Sequence, residues 1–103
     1  MSSLDFQKFS TIQDEAMDTP RTIASAATIT TVGFLTFLTG TVQVATITPP
    51  IHGGLTLIAL VFTNANPGAF LNSGNIQSTK DPAQNELVLL CWDPASSKWY
   101  VVN

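Results

Sequence analysis

Charge is scarce in this chain. Of its 103 residues, 11% are Asp, Glu, Lys or Arg, against roughly 25% in an ordinary soluble domain, and none falls between Thr22 and Thr79. The four basic residues, Lys8, Arg21, Lys80 and Lys98, are scattered. With a net charge of −3 and a pI near 4.6, they build no patch that could neutralise phosphates, which excludes nucleic acid as a partner. A single cysteine, Cys91, excludes an internal disulfide. A single histidine, His52, excludes a His cluster for a metal within one chain. Long apolar runs are missing too. The longest, Leu55 to Phe62, is interrupted by Thr56 and falls far short of the roughly 20 residues that span a bilayer, so no membrane is expected as a partner. The opening Met1-Ser-Ser-Leu-Asp5 has no basic, apolar leader pattern. No Asn-x-Ser/Thr sequon occurs, and synthesis in a reducing cytoplasm is expected.

What remains is a chain 45% hydrophobic whose apolar residues are interleaved with Thr, Ser, Asn and Gly. A small body cannot leave so uncharged a surface to water without association, so a structural or interaction protein covered partly by other subunits is expected. Residues 1–21 differ in kind from the rest. They hold Asp5, Asp14, Glu15 and Asp18 with Leu4, Phe6, Phe9 and Ile12 between them. This is an arm, either extended or a short amphipathic helix ended by Thr19-Pro20. From residue 22 to residue 103 the texture is β, rich in Thr, Val, Ile and Phe. Strands are expected over Ile23 to Thr30, Phe34 to Thr39, Thr41 to Thr48, Leu55 to Thr63, Glu86 to Trp92 and Trp99 to Val102. Turns are expected at Gly33, Gly40, Pro49-Pro-Ile-His-Gly-Gly54, Asn64 to Gly68, Asn72 to Asn75 and Asp93 to Ser97. The Leu55 strand, apolar on both faces, is expected to be central. The fold class is therefore all-β, a small antiparallel β-sandwich or barrel with an N-terminal arm. Ala27-Thr-Ile-Thr30 recurs as Ala45-Thr-Ile-Thr48, an echo too short to establish a repeat.

Chemistry-bearing residues are few. His52 in its Pro/Gly turn reads as a loop residue; three imidazoles could hold an ion only if three copies met on an axis. Cys91, within Leu87-Val-Leu-Leu-Cys-Trp92, reads as a small buried hydrophobe with no activating base beside it. Asp14, Glu15 and Asp18 lack the further oxygen ligands and glycine turn of a calcium loop. No phosphate-binding glycine loop and no nucleophile–base pair can be assembled. No catalytic residue, metal or cofactor is expected. Trp92, Trp99 and Tyr100 surround the last hairpin, either as packing residues or, if exposed, as a platform for a sugar ring.

Thr22-Ile-Ala-Ser-Ala-Ala-Thr-Ile-Thr30, Phe34-Leu-Thr-Phe-Leu-Thr-Gly-Thr41, Ala45-Thr-Ile47, Gly54-Leu-Thr-Leu-Ile58, Ser73-Gly-Asn-Ile76 and the ending Leu87-Val-Leu-Leu90, Asp93 and Ser97-Lys-Trp-Tyr100 together resemble small bacteriophage virion proteins, of the head decoration (cement) or fibre type. The likeness covers residues 22–100; the first 21 residues and the connection from Leu71 to Glu86 depart from it. It implies a homotrimer on the capsid exterior, docked on the phage major capsid protein. Leu4, Phe6, Phe9 and Ile12 are then the expected capsid anchors of the arm. Phe34, Phe37, Val42, Val44 and Ile47 are the expected trimer interface or core. The alternative is a trimeric fibre-tip or head-fibre module that binds a host cell-surface glycan through Trp92, Trp99 and Tyr100.

Overall fold

A computed structural model describes residues 20–103. They form seven strands and no helix: β1 (Arg21–Ala24), β2 (Thr28–Ile29), β3 (Leu35–Thr39), β4 (Thr46–Ile47), β5 (Thr56–Phe62), β6 (Leu87–Asp93) and β7 (Lys98–Val101). Two expected strands are broken by corners. The Ile23 to Thr30 run divides into β1 and β2 around residues 25–27, and of Thr41 to Thr48 only Thr46 and Ile47 are strand. Ser25 explains the corner: its side chain is buried, and its Oγ accepts the Val42 N–H at 3.0 Å. A backbone donor that a straight ladder would have used is thereby satisfied by a side chain. Gly40, at φ 84°, turns the chain out of β3 in a conformation other residues rarely adopt. Arg21 is already paired in β1, so the β domain begins inside the span assigned to the arm.

The all-β expectation holds for the described residues, but the sheet is mixed and not antiparallel. Strand order is β1-β3-β5-β6-β7, with β5 central as expected, and β2-β4 form a second, two-stranded sheet. β1, β3 and β5 run parallel, as do β2 and β4; only β5–β6 and β6–β7 are antiparallel. Parallel neighbours need a crossover, and here the crossover is the second sheet itself. The chain runs along β1, turns through 25–27 into β2, returns past Gly33 and repeats the circuit as β3 and β4. The two circuits lie one on the other, with Thr28 opposite Thr46 and Ile29 opposite Ile47. Ala27-Thr-Ile-Thr30 and Ala45-Thr-Ile-Thr48 are therefore stacked equivalents, and the Thr30 and Thr48 hydroxyls continue the ladder at 2.7 Å.

One core lies between the two sheets. Ile29 and Ile47 from the small sheet meet Leu38, Ile58, Leu60, Leu90, Trp92 and Trp99 from the large one. Phe62 and Phe70 close one end edge to face, ring centroids 5.5 Å apart. The segment 75–77 joins the sheets. Ile76 bridges to Trp99 beside β7, while the Asn75 side chain reaches β4, accepting the Ile47 N–H at 2.9 Å and donating to the Ile47 carbonyl at 2.7 Å. Gly74 must be small, because a Cβ there would collide with the Ala45 carbonyl oxygen and Thr46 Oγ1.

Two substitutions test this packing. Asn75→Ala strands the Ile47 N–H, and chemical denaturation should report a loss of about 1–3 kcal/mol. Thr36 is fully buried, its hydroxyl without a partner. Thr36→Val, which removes that orphan at nearly constant volume, should raise stability by about 1 kcal/mol in the same measurement.

Candidate functional site

Side chains alternate across the large sheet. One set, including Leu38, Leu60, Val88, Leu90 and Trp99, fills the core. Cross-strand register defines the other set. Thr22, Phe37, Val61 and Leu87 form one row. Leu35, Ala59 and Leu89 form the next, extended by Val102, whose N–H donates to the Leu89 carbonyl at 2.8 Å. Leu57, Cys91 and Tyr100 form the third. Ala59 and Val61 are shielded by their larger row neighbours, but Leu57, Leu87, Tyr100 and Val102 are 48%, 46%, 41% and 59% exposed. Charge enters only beyond the third row, where Asp93 and Lys98 pair at the hairpin end. The outer face of the sheet is thus uncharged and almost wholly apolar, and no further sheet covers it among the described residues.

Next to this face opens a groove of about 620 Å³. Ile58 and Trp99 reach it from the core, Leu57 is shared with the outer face, and Val32, Phe34 and Ile51 form its walls. Ile51 stands fully in solvent at the tip of the Pro49–Gly54 loop. That loop is held by His52. Its Nδ1 accepts the Gly54 N–H at 3.0 Å, so the ring proton sits on Nε2 and points to Thr56 Oγ1, also at 3.0 Å. Thr56 in turn donates to the Gly54 carbonyl at 3.0 Å. Both imidazole nitrogens are used in shaping the loop: the one free lone pair, on Nδ1, accepts from Gly54, and the Nε2–H faces Thr56.

The expected site residues are distributed differently from one another. Leu4, Phe6, Phe9 and Ile12 lie outside the described residues. Val44 and Ile47 are core, at 1% and 0% exposure. Phe34 lines the groove, Phe37 lies on the outer face, and Val42 is half exposed in the corner between β3 and β4. The five are therefore not one surface. Trp92 and Trp99 are buried, paired across β6 and β7 with ring centroids 5.3 Å apart. Trp99 Nε1–H donates across the core to the Ile47 carbonyl at 3.1 Å. Neither indole offers a face to a sugar; of the three aromatics proposed for a glycan, only Tyr100 is exposed. Sequence reasoning missed Leu35, Leu57, Leu87 and Leu89. The signal was present: residues 35, 37, 57, 59, 61, 87, 89 and 91 are apolar at the same parity in three strands.

Among the described residues, no group of three His, Cys, Asp or Glu side chains is placed to hold a metal ion. No described helix is long and apolar enough to cross a membrane. Cys91 is partly buried on the outer face. Compared with protein-family models, curated proteins and solved structures, the chain matches none.

The charged groups that are present fasten loops. The Asp93 carboxyl is held below its ordinary range by the Ser96 hydroxyl, 2.8 Å away, and by the Ala95 N–H. Glu86 is lowered by the Ala83 N–H and by Lys80, whose Nζ lies 3.1 Å from Oε2. Both folded values lie below the unfolded ones. Their stabilising contribution is therefore complete above the unfolded carboxylate range and is lost as pH falls through the folded values. Melting temperature should decline on acidification below about pH 4, and the decline should be shallower in Asp93→Asn. A melting curve for the variant as steep in acid as the parent's would remove Asp93 from this role.

Proposed function

We propose that the protein is a structural component of a bacteriophage virion. In this reading it is a capsid decoration (cement) protein that binds the phage head as a homotrimer and stabilises contacts between major capsid subunits. The observation that carries the reading is the outer face of the large sheet. A free monomer has no use for three rows of apolar residues in water, whereas a protein made to assemble does. The resemblance of residues 22–100 to small virion proteins supports the same reading. We take the two sheets to be the walls of a small sandwich, closed along one edge by residues 75–77.

Mechanically, such a trimer would span neighbouring capsid subunits, and expansion of the shell under packaged genome would have to break its contacts. Three arms on one trimer act together, so a weak attachment by each becomes a firm one for the assembly. Phe6, Phe9, Ile12 and Leu4 are the proposed anchors. The glycan-binding fibre alternative retains Tyr100 alone from its aromatic platform.

The test is binding of the purified protein to undecorated phage heads, followed by co-sedimentation. Binding should saturate, and the protein lacking residues 1–19 should stay trimeric while losing most head occupancy. The deletion stops at residue 19 because Arg21 belongs to β1. Undiminished occupancy by the shortened protein would remove the arm from the mechanism. Binding to host cells or their polysaccharide, with none to heads, would replace this function with the fibre reading.

A further inference from the structure

We infer that the open edge of β2 is taken by Thr11 and Ile12 of the same chain, which pair with it as a third strand of the small sheet, Thr11 opposite Thr28 and Ile12 opposite Ile29. The inference stands independently of the virion reading. It turns Ile12 inward and leaves Leu4, Phe6 and Phe9 of the four anchors to a partner.

The small sheet has two edges, and they are treated differently. The Asn75 side chain closes the far side of β4, whereas β2 pairs with β4 alone among the described strands. Successive residues of a strand direct their backbone groups to opposite edges. The Ala27 and Ile29 carbonyls accept from the Thr46 and Thr48 N–H groups, so the N–H and carbonyl of Thr28 point the other way, and Thr28 is exposed. That is an edge prepared for another strand, on a ladder smaller than the three or more strands that make a sheet stable.

The sequence before β1 supplies that strand. Thr-Ile makes up the whole of β2 and of β4 and occurs again at Thr11-Ile12; a fourth copy, Thr22-Ile23, belongs to β1. Spacing selects the copy at 11–12. Residues 30–34 lead from β2 to β3 and residues 48–55 from β4 to β5, while residues 13–20 lead from Ile12 to β1, a connection as long as the second of these. Because β1, β3 and β5 are parallel neighbours, a strand that leads into β1 falls beside β2, as β2, which leads into β3, lies beside β4.

Register and chemistry then agree. With Thr11 opposite Thr28, the Thr28 N–H donates to the Ser10 carbonyl, as the Thr46 N–H donates to Ala27, and the Ile12 N–H donates to the Thr28 carbonyl. Thr11 joins Thr28 on the solvent side. Ile12 follows Ile29 and Ile47 toward the core, at the end where Ile23 and Ala26 are only partly buried. Asp14, Glu15 and Asp18 fall in the connection, where their charges stay in water.

Amide hydrogen exchange on the full chain tests the pairing. The Thr28 N–H should exchange at least about tenfold more slowly than in protein lacking residues 1–14, and removing only residues 1–8 should leave its rate unchanged. Equal Thr28 rates in the full chain and the longer deletion would overturn the inference. Cysteine pairs in a Cys91→Ser background identify the strand. Thr11→Cys with Thr28→Cys should oxidise to a bridge within one chain of 11.0 kDa, because neighbouring strands bring the two Cα atoms within disulfide reach. Thr11→Cys with Thr46→Cys, one strand further away, should stay reduced. A bridge that joins two copies would assign the strand to a neighbouring chain and overturn the same-chain pairing. Protection of Thr28 without an 11–28 bridge would put a different segment on the edge and overturn it as well.

Discussion

A stack of parallel strands has to be stopped, and the contacts around the Ile47 backbone stop this one. Each circuit of the chain leaves a row of unpaired N–H and C=O groups for the next. After β4 there is no third short strand to take them. The Asn75 side chain takes that place, with its amide arranged as a peptide group would be, and the Ile47 carbonyl also accepts the Trp99 indole N–H from the opposite sheet. Because Ile76 pairs with Trp99 along β7, one short segment closes the edge of both sheets. Gly74 is tied to this arrangement, since the backbone must press against Ala45 and Thr46 for Asn75 to reach. A second asparagine repeats the device: Asn103 accepts from the Leu89 N–H and donates to the Leu87 carbonyl on β6.

Ending the small sheet in this way leaves the large sheet with two unlike faces. The inner face is filled by two isoleucines of the small sheet and by its own aromatic pair. The outer face has no second layer among the described residues, yet it is built from Leu, Phe, Val and Ala. Ordinary solvated sheets alternate apolar with polar residues, and β6 departs from that rule: both its faces are apolar, although its exposure alternates with the usual period. Sequence identity and exposure thus disagree along the same strand.

Legibility in the sequence follows from the range of the interactions involved. The β texture, the turns at Gly40 and Pro49–Gly54, the central position of β5 and the closing hairpin are written in local residue types. Parallel pairing was not legible in the same way, because Thr and Ile suit either ladder. Its trace was the Ala-Thr-Ile-Thr echo, whose spacing matches the register of β2 and β4. Ser25 and Val42 hid the corners, since their partnership is one side chain meeting one N–H across 17 positions. For Trp92 and Trp99, the need of a small chain for large core residues favoured burial over display, and both are buried in cross-strand packing. The outer face was readable only once parity in three strands was aligned, which requires the register. The groove depends on how the loop carrying His52 folds back, and no local pattern marks it.

Charge distribution ties these features to assembly. The described residues carry Arg21, Lys80 and Lys98 against Asp81, Glu86 and Asp93, so they sum to zero, and the whole net charge of −3 resides in the first nineteen residues. A neutral body can gather copies of itself without mutual repulsion, and its apolar contacts are insensitive to salt screening. The first nineteen residues hold an acidic surplus instead, and charge of one sign repels its like and attracts basic groups. Apolar contact and charge attraction are thereby confined to different parts of one short chain. Raised salt weakens the second and leaves the first in place, so the two kinds of interaction can be separated by ionic strength alone.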